Sequence, residues 1–199
     1  MLIRNDYPPR VRDLINKYKD YKIINVLGAK QPIESSVQWL ANTISSGKYE
    51  QAKSKLGYDN FFHVYLILRL EDGTKLKVEK NEVINIEVIS SLQKNTGSYN
   101  IGDANIRLGD FLRKGEQLMG PDKYFDYDGF TNNCQIYLLS LLKANGLINK
   151  DIGDFFGQDA QAVAQELGVL VSGLFRGVIK TAQIYNLLRY GRGMFGPDS

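Results

Sequence analysis

The sequence predicts an α+β fold, with a small antiparallel sheet packed on a central helix and further helices flanking it. Three observations carry that expectation. Residues 63–81 (HVYLILRLEDGTKLKVEKN) form two alternating runs around a turn signal. Residues 135–144 (QIYLLSLLKA) are apolar nearly all round, the pattern of a buried helix. Apolar residues recur at helical spacing near the start of the chain, at Val11, Leu14, Ile15 and Tyr18.

Taken in order, Pro9 suits the first position of that leading helix. Lys22 to Gly28 reads as a strand or extended connection. Ile33, Val37, Leu40, Ala41 and Ile44, with Trp39 beside them, predict a helix stopped by Gly47; Lys48 to Leu56 predicts a shorter one. The hairpin then has two possible registers. A two-residue Asp72-Gly73 loop would mix Leu76 and Val78 with His63 and Arg69. A three-residue Glu71-Asp72-Gly73 loop gathers Val64, Leu66, Leu68, Leu70, Leu76 and Val78 on one face. A slip of one residue flips every side chain, so the apolar pattern selects the three-residue loop. His63 then faces Asn81, with Glu79 as its diagonal neighbour. Val83 to Ile89 continues as a third extended segment. Ser91 to Asp103, polar and glycine-containing, reads as a loop. Asp110 is expected to cap a short helix through Phe111 and Leu112. Met119-Gly120-Pro121 breaks the chain. Thr131, Asn132 and Asn133 are cap-type residues before the apolar helix, which Asn145-Gly146 ends. From Asp151 to about Tyr190 the chain reads as helical.

Composition excludes several classes of function. The 199 residues suit one compact domain, and 43% hydrophobic content excludes global disorder. A net charge of +3, from 25 basic and 22 acidic residues, gives no argument for a dedicated nucleic-acid binder. The single cysteine, Cys134, cannot form an intramolecular disulfide. With one histidine, His63, the chain cannot supply the roughly four N or S ligands of a zinc site. No metal and no cofactor are expected. The opening MLIRNDYPPR lacks the apolar core of a signal peptide, and no window has the roughly 18 uncharged apolar residues of a membrane span. An intracellular, non-secreted protein is expected.

The chemistry resides at Cys134, in the first turn of the apolar helix. Unpaired N–H groups and the helix dipole favour an anion there, and a thiol so placed can lose its proton more readily. The same groups can hold a developing oxyanion. A thiolate nucleophile needs a base, and that base an orienting group. His63 has Glu79 and Asn81 as candidate orienters. A lone cysteine in an apolar helix fits an inert core thiol equally, and a histidine beside an acid fits a structural pair. Spacing alone leaves both readings open.

The segments FFHVYLILRLEDGTKLKVEKNEV and NNCQIYLLSLLKANGL, in that order, resemble the circularly permuted papain-like thiol hydrolases, the NlpC-type and lecithin:retinol acyltransferase-type superfamily. The likeness is greatest to versions encoded by large eukaryotic DNA viruses, and it covers about residues 33 to 160. It implies a permuted papain-like domain over 1–160, with 161–199 as a C-terminal helical extension of it or an integral part. It also implies Cys134 as nucleophile, His63 as general base, and Glu79, with Asn81 second, as the third polar residue. The backbone N–H of Cys134, with Gln135 or Asn133, would form the oxyanion site. Many relatives carry a histidine in the third role, and this chain has no second histidine. The implied activity is that of a cysteine hydrolase cleaving an amide or isopeptide through an acyl-enzyme. The alternatives are a lipid-acting thiol acyltransferase or phospholipase, and a virion or membrane-associated structural protein on the same fold. The implied partners are a peptide or lipid-acyl substrate, in the host cytoplasm or a virion. Residues 167–192 carry basic but no acidic side chains, among them Arg176 and Lys180. They fit a membrane-surface or capsid-binding helix or an ordinary packed one. Gly173 and Gly177, one turn apart, would admit a close partner helix.

Overall fold

The computed structural model describes residues 4–32, 62–81, 83–92, 94, 96–127 and 132–156. The two helices expected between Ile33 and Leu56, the surroundings of Trp39, and everything expected beyond Phe156, including residues 167–192, lie outside the described residues.

Helix α1 spans Pro9–Tyr18, with Pro9 at its first position and Val11, Ile15 and Tyr18 buried, the stripe expected from the sequence. Strand β1 spans Lys22–Pro32, longer than its apolar stretch suggests. Strands β2 (Phe62–Leu70) and β3 (Lys75–Lys80) form the hairpin, and β4 (Ile84–Val88) follows as the third extended segment. Leu66 pairs with Val78 and Leu68 with Leu76. This is the register of the three-residue loop. Gly73, at φ +87°, supplies its left-handed residue.

The segment expected to be a loop over 91–103 contains strand β5, Gly97–Gly102. Glycine and asparagine hide its alternation in the sequence, yet Tyr99 and Ile101 still turn toward the core. After β6 (Ile106–Arg107), helix α2 runs over Leu108–Met119. Asp110 is therefore not its cap. It lies inside the first turn, bonded to Arg113 at 3.0 Å, and the cap position is Arg107, which makes no side-chain cap bond. Gly120 at φ +77° ends α2, and Pro121 opens α3 (Pro121–Phe125). Helix α4 is Cys134–Ala144 and α5 is Lys150–Phe156.

The six strands form one antiparallel sheet in the order β4-β3-β2-β1-β5, with β6 also paired to β1. Leu66, Leu68, Leu76 and Val78 are fully buried beneath Ile15, Phe111, Leu138 and Leu142 of the helices. Each such side chain contributes roughly 1.5–3 kcal/mol relative to exposure. Helices α2 and α4 meet at Gly115, where a Cβ would run into the Leu141 side chain. The other face of β2 and β3 carries Tyr65, Ile67, Lys77 and Glu79, all buried. An ionisable pair on that face must satisfy its charges internally.

Candidate active site

The apolar helix delivers Cys134 to the start of β2. Asn133 is the N-cap of α4, and its Oδ1 accepts from the N–H groups of Gln135 (3.0 Å) and Ile136 (3.1 Å). The Asn133 carbonyl accepts from the Tyr137 N–H at 3.0 Å. Among the described residues, the Cys134 N–H is thus the leading helix donor left without an acceptor. The segment before the helix is anchored from both sides. Asn132 Nδ2 donates to the carbonyls of Lys123 (2.8 Å) and Asp126 (2.6 Å). Lys80 Nζ donates to the same Lys123 carbonyl at 2.9 Å. Lys80 is fully buried, over the Tyr137 ring. Burial lowers its pKa to about 8 against the opposing pull of Asp126.

Cys134 and His63, 71 positions apart in sequence, are joined by a side-chain hydrogen bond. The backbone N–H groups of Val64 and Gln135 also point to the sulfur. On its other side the His63 ring donates from Nε2 to Glu79 Oε2 at 2.9 Å. That leaves Nδ1 for the sulfur. His63 is 19% exposed and Glu79 4%. Burial disfavours the charged imidazole, but the bonds and charges of Cys134 and Glu79 outweigh it and raise the His63 pKa to about 10. Burial also pushes the Cys134 thiol up, and the hydrogen bond and charge of His63, with the two N–H groups, bring it below its ordinary value. Burial likewise opposes the Glu79 charge, and His63 and Lys77 hold that carboxyl far below the usual range. Each group therefore favours the charged form of its neighbour: Glu79 the imidazolium, and His63 both the carboxylate and the Cys134 thiolate.

The structure brings Cys134, His63 and Glu79 together. Asn81 lies past the end of β3, where its backbone N–H donates to the Val83 carbonyl at 3.1 Å, and no described bond joins its side chain to His63. Gln135 is buried beside Cys134, although a first-turn position could have faced solvent. Asn133 is committed through Oδ1 to capping. Tyr124 is buried in the core, where its hydroxyl accepts from those of Tyr7 (3.0 Å) and Tyr137 (3.2 Å), so it braces the segment before α4.

Two neighbours of Glu79 escape a reading of the sequence. Lys77 Nζ lies 2.7 Å from Glu79 Oε2 and 3.4 Å from Glu87 Oε1. Asn85 Nδ2 donates to Glu79 Oε1 at 3.0 Å, and its own Oδ1 accepts from Arg10 at 2.7 Å. The signal for Lys77 was its shared face with Glu79. For Asn85 it was the β3–β4 register, which sets Asn85 directly opposite Glu79.

Among the described residues no group of three or more His, Cys, Asp and Glu side chains could hold a metal ion, and no helix is long and apolar enough to cross a membrane. No protein-family model, curated protein or solved structure matches the chain.

Proposed function

We propose that this chain is a cysteine hydrolase of the permuted papain-like kind, cleaving an amide or isopeptide bond through an acyl-enzyme. The observation that carries the reading is the His63 ring held between the Cys134 sulfur and the Glu79 carboxylate. The Cys134 thiolate attacks the carbonyl carbon. The oxyanion meets the Cys134 N–H, with the Gln135 side chain as a second donor. The imidazolium gives its proton to the departing amine as the C–N bond breaks, leaving a thioester on Cys134. His63, now neutral, takes a proton from water, and the hydroxide attacks the thioester. The carboxylic acid departs and the thiolate–imidazolium pair returns. Glu79 holds the ring in place and stabilises its charge without accepting its proton.

The reading is tested by intact-mass spectrometry after mixing the protein with a panel of activated acyl compounds. The panel contains peptide anilides, an isopeptide, and a long-chain lipid ester. The expected result is an acyl adduct on Cys134, absent in Cys134→Ala and fastest with a peptide or isopeptide acyl group. Fastest acylation by the lipid ester would favour the lipid-acting alternative. An unmodified Cys134 throughout would favour a structural or interaction module, to which its low exposure of 7% lends weight.

A further inference from the structure

The proposed mechanism gives no step to the Lys77 ammonium, although it is buried against the site. The Lys77 ammonium binds the same carboxylate oxygen, Oε2 of Glu79, that His63 uses. Two cations on one oxygen, at 2.7 and 2.9 Å, stand less than about 6 Å apart, a separation at which like charges disfavour each other. Lys77 is 6% exposed, so water screens little of this. An ammonium needed only to neutralise Glu79 could have taken Oε1, but Asn85 holds that oxygen. Lys77 is itself fixed, with Glu87 Oε1 at 3.4 Å and the Tyr65 ring 4.7 Å beneath its Nζ. Tyr65 in turn stacks toward His63 and is tied through its hydroxyl to Thr96.

We infer that Lys77 is a positioning residue that sets the acidity of His63: it orients Glu79 and takes part of the carboxylate's charge away from the imidazolium. The inference rests on the proposed Cys134–His63 mechanism. Without this competition, Glu79 would hold the imidazolium proton too tightly for ready transfer to a leaving amine. Among the described residues, the charged or titratable groups around His63 are Cys134 from α4, Tyr65 from β2, and Lys77 and Glu79 from β3. From β4, Glu87 acts through Lys77. Arg10 of α1 acts on Glu79 only through Asn85.

His63 is the only histidine, so its ring protons report one ionisation in the intact protein by NMR. In Lys77→Met the imidazolium is expected to persist about one pH unit higher than in the wild type. In Lys77→Arg it is expected to titrate as in the wild type. Glu87→Gln is expected to shift the ionisation the opposite way, to lower pH, because it removes the carboxylate that offsets Lys77. Glu87 is on the sheet margin at 19% exposure, so this variant keeps the test open if Lys77→Met does not fold. A purely structural lysine would lower stability in Lys77→Met and leave both titrations unmoved, which would overturn the inference. A wild-type His63 titrating near its ordinary 6.5 would overturn the Cys134–His63 pair itself and this inference with it. A high wild-type value with unmoved variants would overturn the role of Lys77 alone.

Discussion

Replacing Glu79 by glutamine is expected to lower the stability of the fold by about 3–5 kcal/mol. The side chain keeps its shape, so little packing is lost. What changes is the charge. Lys77, almost fully buried, loses the carboxylate 2.7 Å away and keeps Glu87 at the longer distance of 3.4 Å. His63 loses the anion that accepts from Nε2. A buried charge without its partner is costly because water cannot reach it. The double variant Glu79→Gln, Lys77→Met removes both charges and is expected to recover more than half of the loss. Urea unfolding at neutral pH measures both. A loss below about 1 kcal/mol in the single variant would mean that water reaches the cluster and screens it like a surface pair.

Replacing His63 by alanine is expected to lower the rate of Cys134 acylation at pH 7 by about two to four orders of magnitude. Two effects act in the same direction. The base and acid of both chemical steps is removed. The thiol also loses its largest lowering influence while burial continues to push it up, so little thiolate remains at neutral pH. Stopped-flow acylation with an activated ester, compared between the two proteins at matched folding, gives the ratio. The Val64 and Gln135 N–H groups remain at the sulfur, so some reactivity should survive above pH 9. A ratio within a factor of three at pH 7 would mean that His63 takes no part in the reaction.

The sequence made much of this site legible, for physical reasons that can be named. The β2–β3 register followed from six apolar residues that only one loop length brings to a common face, and that register places Glu79 diagonal to His63. The start of α4 followed from a cap-type residue before an apolar run, which puts Cys134 in the first turn. The meeting of Cys134 with His63 depends on contacts 71 positions apart, which no local pattern encodes; only the family resemblance suggested it. Strand β5 was missed because Gly97, Asn100 and Gly102 carry no apolar signal and its pairing partner is the distant β1. The length of α2 is hidden in the sequence because Asp110 offers a local cap, while the helix starts three residues earlier than that cap implies, where Leu108 and Gly109 donate to the carbonyls of Tyr21 and Lys19. Lys77 was visible as a member of the Glu79 face, but its burial was not. A strand face that mixes Tyr65 and Ile67 with Lys77 and Glu79 does not announce whether it is covered.

The central claim is that Cys134 rests as a thiolate paired with a protonated His63. It is tested most directly by the rate of iodoacetamide alkylation from about pH 4 to 10, which reads a single site because Cys134 is the only thiol. The direction follows from the pair. The bonds to Cys134 and Glu79 raise the His63 pKa to about 10, and the His63 charge favours loss of the thiol proton below the ordinary 9.0. Alkylation in the wild type is expected to reach its plateau at a lower pH than that of an ordinary thiol, and His63→Ala is expected to move that rise to higher pH. A thiol that titrates near 9 in both proteins, or that reacts only after denaturation, would contradict the account and leave Cys134 as a buried core residue.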